Sequence, residues 1–240
     1  MRKLSNKPGD RADALAGDAT SRSTRTRLAA WVYPSAWIAG LSVTAASTDV
    51  AASGSAVLKE FSTHQTGAAL QWILTQGLAP CSLLFVLASL RRVASGSEKL
   101  ASVSRISGTL GAIISLSQCL AGLWLTTVVV RDQDASSAGL LKDAIDRADG
   151  VKMLAFAVMA WSGTVLLERR GLAARWLKLV GFALTVSITV SGLGYLLLNT
   201  FLAYAAWVSL PLLLVWVAGV GIVLGARSQP QHRSFGEAPK

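Results

Sequence analysis

The feature that most constrains this sequence is a series of long apolar blocks, several of which extend for about 20 residues or more. An apolar helix of about 20 residues crosses the roughly 30 Å of hydrocarbon in a bilayer. None of the blocks carries a charge well inside its core. They lie at about 28–48, 68–90, 106–130, 151–167, 176–198 and 202–226.

The pattern within the blocks predicts helices. Backbone polar groups in lipid are satisfied only in helices or closed barrels, and barrel strands alternate polar and apolar residues, whereas these blocks are continuous. The chain is 52% apolar and 15% charged, against about 45–50% and about 25% in soluble domains. We therefore predict an all-α polytopic transmembrane bundle of about six helices, and the composition argues against a water-soluble enzyme.

The basic residues predict the orientation. If there are six helices, 18 of the 23 Lys and Arg fall in alternate segments on one side, and the other side holds five. Because basic segments stay inside, we expect a multi-pass protein of the cell membrane with both termini cytoplasmic. Residues 1–27 are predicted to be a disordered basic tail and 228–240 a second cytoplasmic tail. The net charge of +10 then reflects orientation, and no nucleic acid partner is expected.

Four local features add detail. The first block has an alternative interpretation as a cleaved signal, because Ala45-Ala46-Ser47 is suited to cleavage. The outer loop 131–150 has apolar residues at helical spacing and predicts a short amphipathic helix on the surface. Pro80 and Pro211 interrupt the hydrogen bonding of their helices, and Gly221-x-x-x-Gly225 favours close packing within the molecule.

Polar and aromatic side chains gather in the outer half of the predicted bundle, which suggests a pocket for a lipophilic substrate. Buried polar groups in a span are costly and so point to function. The predicted substrate-binding residues are Gln71, Trp72, Gln76, Gln118, Trp124, Trp161, Tyr195, Asn199 and Tyr204. The candidate catalytic acids are Asp149, Asp132 and Glu60.

Each of these residues also has a purely structural interpretation. A glutamine in a span often bonds a neighbouring helix, and Trp and Tyr often mark the interface. Asp149 lies three residues from Lys152 on one helix face, and it is also a candidate N-cap for the fourth helix. The two cysteines and two histidines lack metal-ligand spacing, so no metal and no cofactor are expected.

Helices four to six resemble a family of small six-helix membrane proteins of unknown function that is common in actinobacteria. The resemblance covers roughly residues 28–227 and implies the fold. It is carried by Asp149-Gly150-Val151-Lys152, Glu168-Arg169-Arg170-Gly171-Leu172, Trp176-Leu177, Ser191-Gly192-Leu193-Gly194-Tyr195 and Ser209-Leu210-Pro211-Leu212.

The size, the eight Trp and the candidate acids also resemble bacterial membrane-bound terpenoid cyclases of natural-product pathways. That resemblance implies acid-initiated, metal-independent cyclisation of a prenylated substrate, with aromatic side chains shielding the cation. An enzyme of this kind is an isomerase or lyase. Two alternatives stay open: a small transporter, and a non-catalytic membrane partner or sensor protein.

Overall fold

Seven helices follow one another in the computed structural model, which describes residues 8–43, 48–90 and 96–227, with side chains described for residues 24–226 of these ranges. They are α1 (Pro8–Val43), α2 (Gly54–Thr63), α3 (Gln65–Ser89), α4 (Glu98–Asp132), α5 (Ala135–Arg169), α6 (Arg175–Leu196) and α7 (Thr200–Ala203 followed by Ala206–Arg227). No strand occurs in these ranges, which confirms the all-α prediction.

Five helices, α3 to α7, are long and apolar enough to cross a membrane, as judged over the described residues. The chain is therefore a multi-pass, helical membrane protein. Around the bundle, α3 packs on α4, α4 on α5, α5 on α6 and α6 on α7. Helix α1 packs against both α7 and α3 and so closes these helices into a ring.

The small residues of α7 let α1 approach closely. A Cβ atom at Gly221 would lie 2.1 Å from the Cβ of Ala30, and one at Gly225 would lie 2.4 Å from the Arg27 side chain. At Gly221 the neighbour is the Cβ atom of Ala30, which cannot rotate away, so a larger side chain does not fit there. The Gly221-x-x-x-Gly225 pattern thus packs within the molecule, as predicted.

Helix α1 differs from the predicted first helix. It begins at Pro8 and ends at Val43, whereas the sequence predicts a helix over 28–48 after a disordered tail. Proline is favoured at the first helical position because its missing N–H has no partner there in any case. The polar residues after Pro8 extend the apolar helix toward its N-terminus. Residues 1–7, residues 44–47 with the candidate cleavage site, and the tail 228–240 lie outside the described residues.

The predicted outer loop 131–150 is mostly helix. Helix α5 begins at Ala135, after Gln133 in the left-handed region (φ 55°) and Asp134 as N-cap. The Asp134 carboxylate accepts hydrogen bonds from the backbone N–H groups of Ser136 and Ser137 at 3.0 and 3.1 Å. The prediction of a separate surface helix was wrong, because this segment forms the first turns of α5.

Packing explains why α4 and α5 extend beyond their apolar blocks. Helix α2, which the sequence analysis did not predict, packs against α5. A second apolar core forms there, apart from the main core of the bundle, and excludes water from this extension. Its buried members include Val57, Phe61, Leu125, Val129 and Ile145.

Candidate functional site

Four polar side chains from three helices meet inside the bundle, and we call them the ionic cluster: Gln76, Gln118, Asp149 and Lys152. The Lys152 ammonium forms a salt bridge with Asp149 Oδ1 and donates to Gln76 Oε1 at 3.0 Å. Gln118 Nε2 donates to the same Asp149 Oδ1 at 3.0 Å and to the Ile145 carbonyl at 2.9 Å. All four residues lie in helices that are candidate membrane spans.

Helix α5 supplies both charges of the cluster. Asp149 and Lys152 are three residues apart, so they share a face, and their side chains are only 16% and 5% exposed. Gly150, between them, lies against the end of α6, where a Cβ atom would be 2.6 Å from the Leu196 backbone nitrogen. The close approach of α6 thus shields this part of α5 from lipid and water.

The backbone of α3 positions Gln76 within a π-helical segment, Ile73–Leu78. Pro80 lies two residues after this segment and lacks the N–H that an α-helix would donate to the Gln76 carbonyl. The segment therefore widens at Gln76, which is the local irregularity that Pro80 predicts. Single π-turns of this kind are frequent at functional sites.

Gln118 connects α4 to α5 and is 2% exposed. Its two amide hydrogens face two acceptors, which fixes the orientation of the amide group. Its carbonyl oxygen Oε1 is buried and has no hydrogen-bond partner. Most buried polar atoms have such a partner, so the cluster contains an acceptor that is open to an additional group.

A second buried ion pair lies on α5 toward its N-terminus. Lys142 Nζ and Asp146 Oδ2 are 2.5 Å apart, and their side chains are 9% and 6% exposed. The two pairs place four ionisable groups on about three turns of one helix. Sequence reasoning missed both Lys142 and Asp146 as site residues, although their four-residue spacing is the helical signal that would have found them.

The candidate acids of the sequence analysis occupy different environments. Asp149 is in the cluster. Asp132 is exposed beside Arg131, with Nε and Oδ1 3.0 Å apart, and Glu60 is half-buried on α2. The structure thus does not bring the three carboxyl groups together.

The predicted binding residues also separate. Gln76 and Gln118 join the cluster, and Tyr195 is half-buried and near Asp149.

The other predicted binding residues on α3 and α7 have structural roles. Trp72 packs its indole on Gly122, where a Cβ atom would lie 2.2 Å from the ring. Gln71 is half-buried on α3, and its backbone carbonyl accepts from Thr75. Asn199 is the N-cap at the start of α7, where its side chain accepts from Leu202 N–H at 3.1 Å.

Three predicted aromatic residues lie on the surface of the bundle. Trp124 is 59% exposed, Trp161 46% and Tyr204 58%. Large aromatic side chains at such positions are typical of residues that contact lipid or the interface. In contrast, Tyr33 on α1, which was not among the candidates, is 2% exposed and lies near Asp149. Its position reflects the packing of α1, and no local motif indicates it.

Two further observations concern metal ligands and cavities. The described residues contain no group of three His, Cys, Asp or Glu that could hold a metal ion. A cavity of about 330 Å³ opens elsewhere, at the start of α4, and does not include the ionic cluster. It is lined by Gly96, Ser97, Glu98, Lys99, Leu100 and Arg169.

No protein-family model, no curated protein and no solved structure matches this chain. The class of the protein therefore comes from its own structure. It is a helical, multi-pass integral membrane protein with a buried ionic cluster contributed by three of its spans.

Proposed function

We propose that the chain is a six-span membrane protein with cytoplasmic termini, and that its ionic cluster binds the polar end of a lipophilic small molecule. The observation that carries the binding proposal is the Asp149–Lys152 pair, held by glutamines from two other helices. Ionisable groups inside a membrane span are expensive and commonly mark functional sites. The π-turn at Gln76 and the open acceptor of Gln118 support the same conclusion.

The sixth span in this proposal is α1. It packs on α3 and α7 through much of its apolar part, and Tyr33 points into the main core. A helix lying flat on the membrane surface would not pack between two spans in this way. With six spans, the alternation of basic segments places both termini inside.

Acid-initiated cyclisation of a prenylated substrate is the reaction that the sequence resemblance implies. It requires a carboxyl group that carries a transferable proton. Asp149 Oδ1 already accepts from Lys152 and Gln118, so that proton would have to sit on Oδ2. Asp132 and Glu60 lie outside the cluster. The geometry therefore supports ligand binding better than cyclisation.

Co-purified lipophilic molecules test the binding proposal. The protein would be purified into nanodiscs, extracted with organic solvent and compared by mass spectrometry with the double variant Asp149→Asn/Lys152→Gln. That variant removes both charges together and leaves no unpaired buried ion. Asp132→Asn is the matched control, because its carboxylate is exposed.

We expect at least one species enriched in the wild-type protein and in Asp132→Asn, and depleted about tenfold in the double variant. Identical extracts from all three proteins would overturn the proposal. Incubation of membranes with prenylated and epoxy-prenylated aromatic compounds tests cyclisation separately. An isomer of unchanged mass that disappears in Asp149→Asn would establish catalysis, and unchanged substrate would reject it for those compounds.

A further inference from the structure

The ionic cluster includes an open, fully buried hydrogen-bond acceptor and an open donor. Gln118 Oε1 is the acceptor, buried without a partner. On the donor side, an ammonium group has three N–H bonds, and Lys152 Nζ contacts only Asp149 and Gln76 within the described ranges. One N–H of Lys152 is therefore available.

The open donor and the open acceptor belong to side chains that share one contact. Gln118 Nε2 and Lys152 Nζ both contact the same atom, Asp149 Oδ1. The two nitrogens are therefore at most about 6 Å apart, two hydrogen-bond lengths, and Gln118 Oε1 is bonded to the same amide carbon as Nε2, roughly 2 Å from it. A hydroxyl group between two partners spans up to about 6 Å, which is within the range that this shared contact allows.

The charge of the cluster restricts the chemistry of that group. Asp149 and Lys152 balance each other, and the two glutamines are neutral. A charged ligand would leave an uncompensated charge away from water, which is strongly unfavourable. The ligand group is therefore neutral, and it must both donate and accept a hydrogen bond.

We infer that the cluster binds a hydroxyl group of a neutral lipophilic molecule, an inference that rests on the ligand-binding function proposed above. The O–H donates to Gln118 Oε1, and the oxygen accepts from Lys152 Nζ. An ether can accept but cannot donate, so it leaves Gln118 Oε1 unpaired. The site thus discriminates between an alcohol and its methyl ether.

A pair of matched probes tests this inference. One is a C16 primary alcohol that carries a diazirine near its polar end, and the other is the methyl ether of the same compound. The wild-type protein in nanodiscs would be irradiated with each probe, and labelled peptides of α4 and α5 quantified by mass spectrometry. Unlabelled hexadecanol and its methyl ether serve as competitors.

We expect the alcohol to label peptides around Gln118 and Lys152, and hexadecanol to compete about 5-fold or more better than the ether, since an unpaired buried acceptor weakens binding by that factor or more. Gln118→Met should abolish the preference. The wild-type probe comparison needs no variant, so it stands even if Gln118→Met fails to fold.

The outcomes separate this inference from the proposed function. Saturable labelling of the cluster by both probes with equal competition would overturn the hydroxyl inference and keep a lipophilic site. Labelling confined to lipid-facing residues, without saturation, would overturn the hydroxyl inference and leave water as the partner of Gln118. Loss of all lipophile enrichment in the extraction experiment would overturn the proposed function itself.

Discussion

At the scale of single residues, the pairing of Asp149 with Lys152 determines how the cluster responds to substitution. Removing one member of a buried pair leaves an uncompensated charge, which typically costs about 3–5 kcal/mol. We expect Lys152→Met to lower the free energy of unfolding by about that amount. Replacing both charges, as in Asp149→Leu/Lys152→Met, should restore much of the loss. Reversible unfolding in mixed micelles measures both effects.

The ion pair between Glu168 and Lys178 is the matched control. It also joins a carboxylate to an ammonium, but its side chains are 42% and 41% exposed. Exposed pairs contribute about 0–1 kcal/mol, so Lys178→Met should change stability little. Equal losses for Lys152→Met and Lys178→Met would contradict the view that burial makes the Asp149–Lys152 pair sensitive.

The helix cap at Asp134 gives α5 a dependence on pH. Hydrogen bonds from the Ser137 hydroxyl, and then from backbone N–H groups of Ser137 and Ser136, lower the pKa of Asp134 below its ordinary value of 3.8. A lowered pKa stabilises the folded state above the unfolded pKa, and this contribution is lost as the pH falls through the folded value.

We therefore expect the wild-type protein to lose more thermal stability than Asp134→Asn between pH 5 and about pH 3. Asparagine also caps helices but does not titrate, so the variant keeps the cap and loses its pH dependence. Melting curves across this range in detergent provide the measurement. Parallel curves for the two proteins would show that the Asp134 carboxylate does not contribute.

At the scale of helices, hydropathy predicts the apolar cores well and the ends poorly. The predicted fifth helix, 176–198, nearly matches α6 (Arg175–Leu196), because α6 is apolar almost throughout. The predicted fourth helix, 151–167, misses the first turns of α5, since these are polar and are held by contacts with α2. Such contacts between distant segments are absent from a local pattern.

The same limit applies to the ionic cluster. The spacing of Asp149 and Lys152 predicts that they share a helix face, and that part was available from the sequence. Which glutamines reach them depends on the register of α3 and α4 against α5. Gln76 and Gln118 do so, whereas Gln71 lies elsewhere on α3. Register is a property of packed helices, and composition alone does not contain it.

The contact between α5 and α6 depends on glycine at one position. A Cβ atom at Gly150 would lie 2.6 Å from the Leu196 nitrogen and 2.7 Å from the Gly192 carbonyl oxygen, which are backbone atoms that cannot rotate away. Gly150→Ala should therefore separate the helices and destabilise the protein by about 1–3 kcal/mol. Unfolding in mixed micelles would detect this change.

Gly77 provides the control for that substitution. It lies in α3, and a Cβ atom there would contact only Cys119 Sγ, at 3.4 Å. This is an ordinary van der Waals distance, so Gly77→Ala should be tolerated. If Gly150→Ala is as stable as Gly77→Ala, the close approach of α5 and α6 is not maintained in the membrane.

At the scale of the whole molecule, the number of spans decides on which side each segment lies. The ring is closed by α1, and six spans would place the polar N-terminal part of α1, which includes Thr24, on the cytoplasmic side. If only the five helices α3 to α7 crossed the bilayer, that part of α1 would share the outer side with α2. The position of Thr24 relative to Thr63 therefore distinguishes the two topologies.

Cysteine accessibility measures this directly. In a background with Cys81→Ala and Cys119→Ala, single cysteines would replace Thr24, Thr63, Ser136 or Ala174, and intact cells would be treated with a membrane-impermeant maleimide. We expect labelling of the Thr63 and Ser136 variants in intact cells, and labelling of the Thr24 and Ala174 variants only after permeabilisation.

Two outcomes would contradict this topology. Labelling at Thr24 from outside would show that α1 does not cross the membrane. Labelling at Ala174 from outside would invert the orientation that the basic segments predict, and the ionic cluster would then face the opposite leaflet.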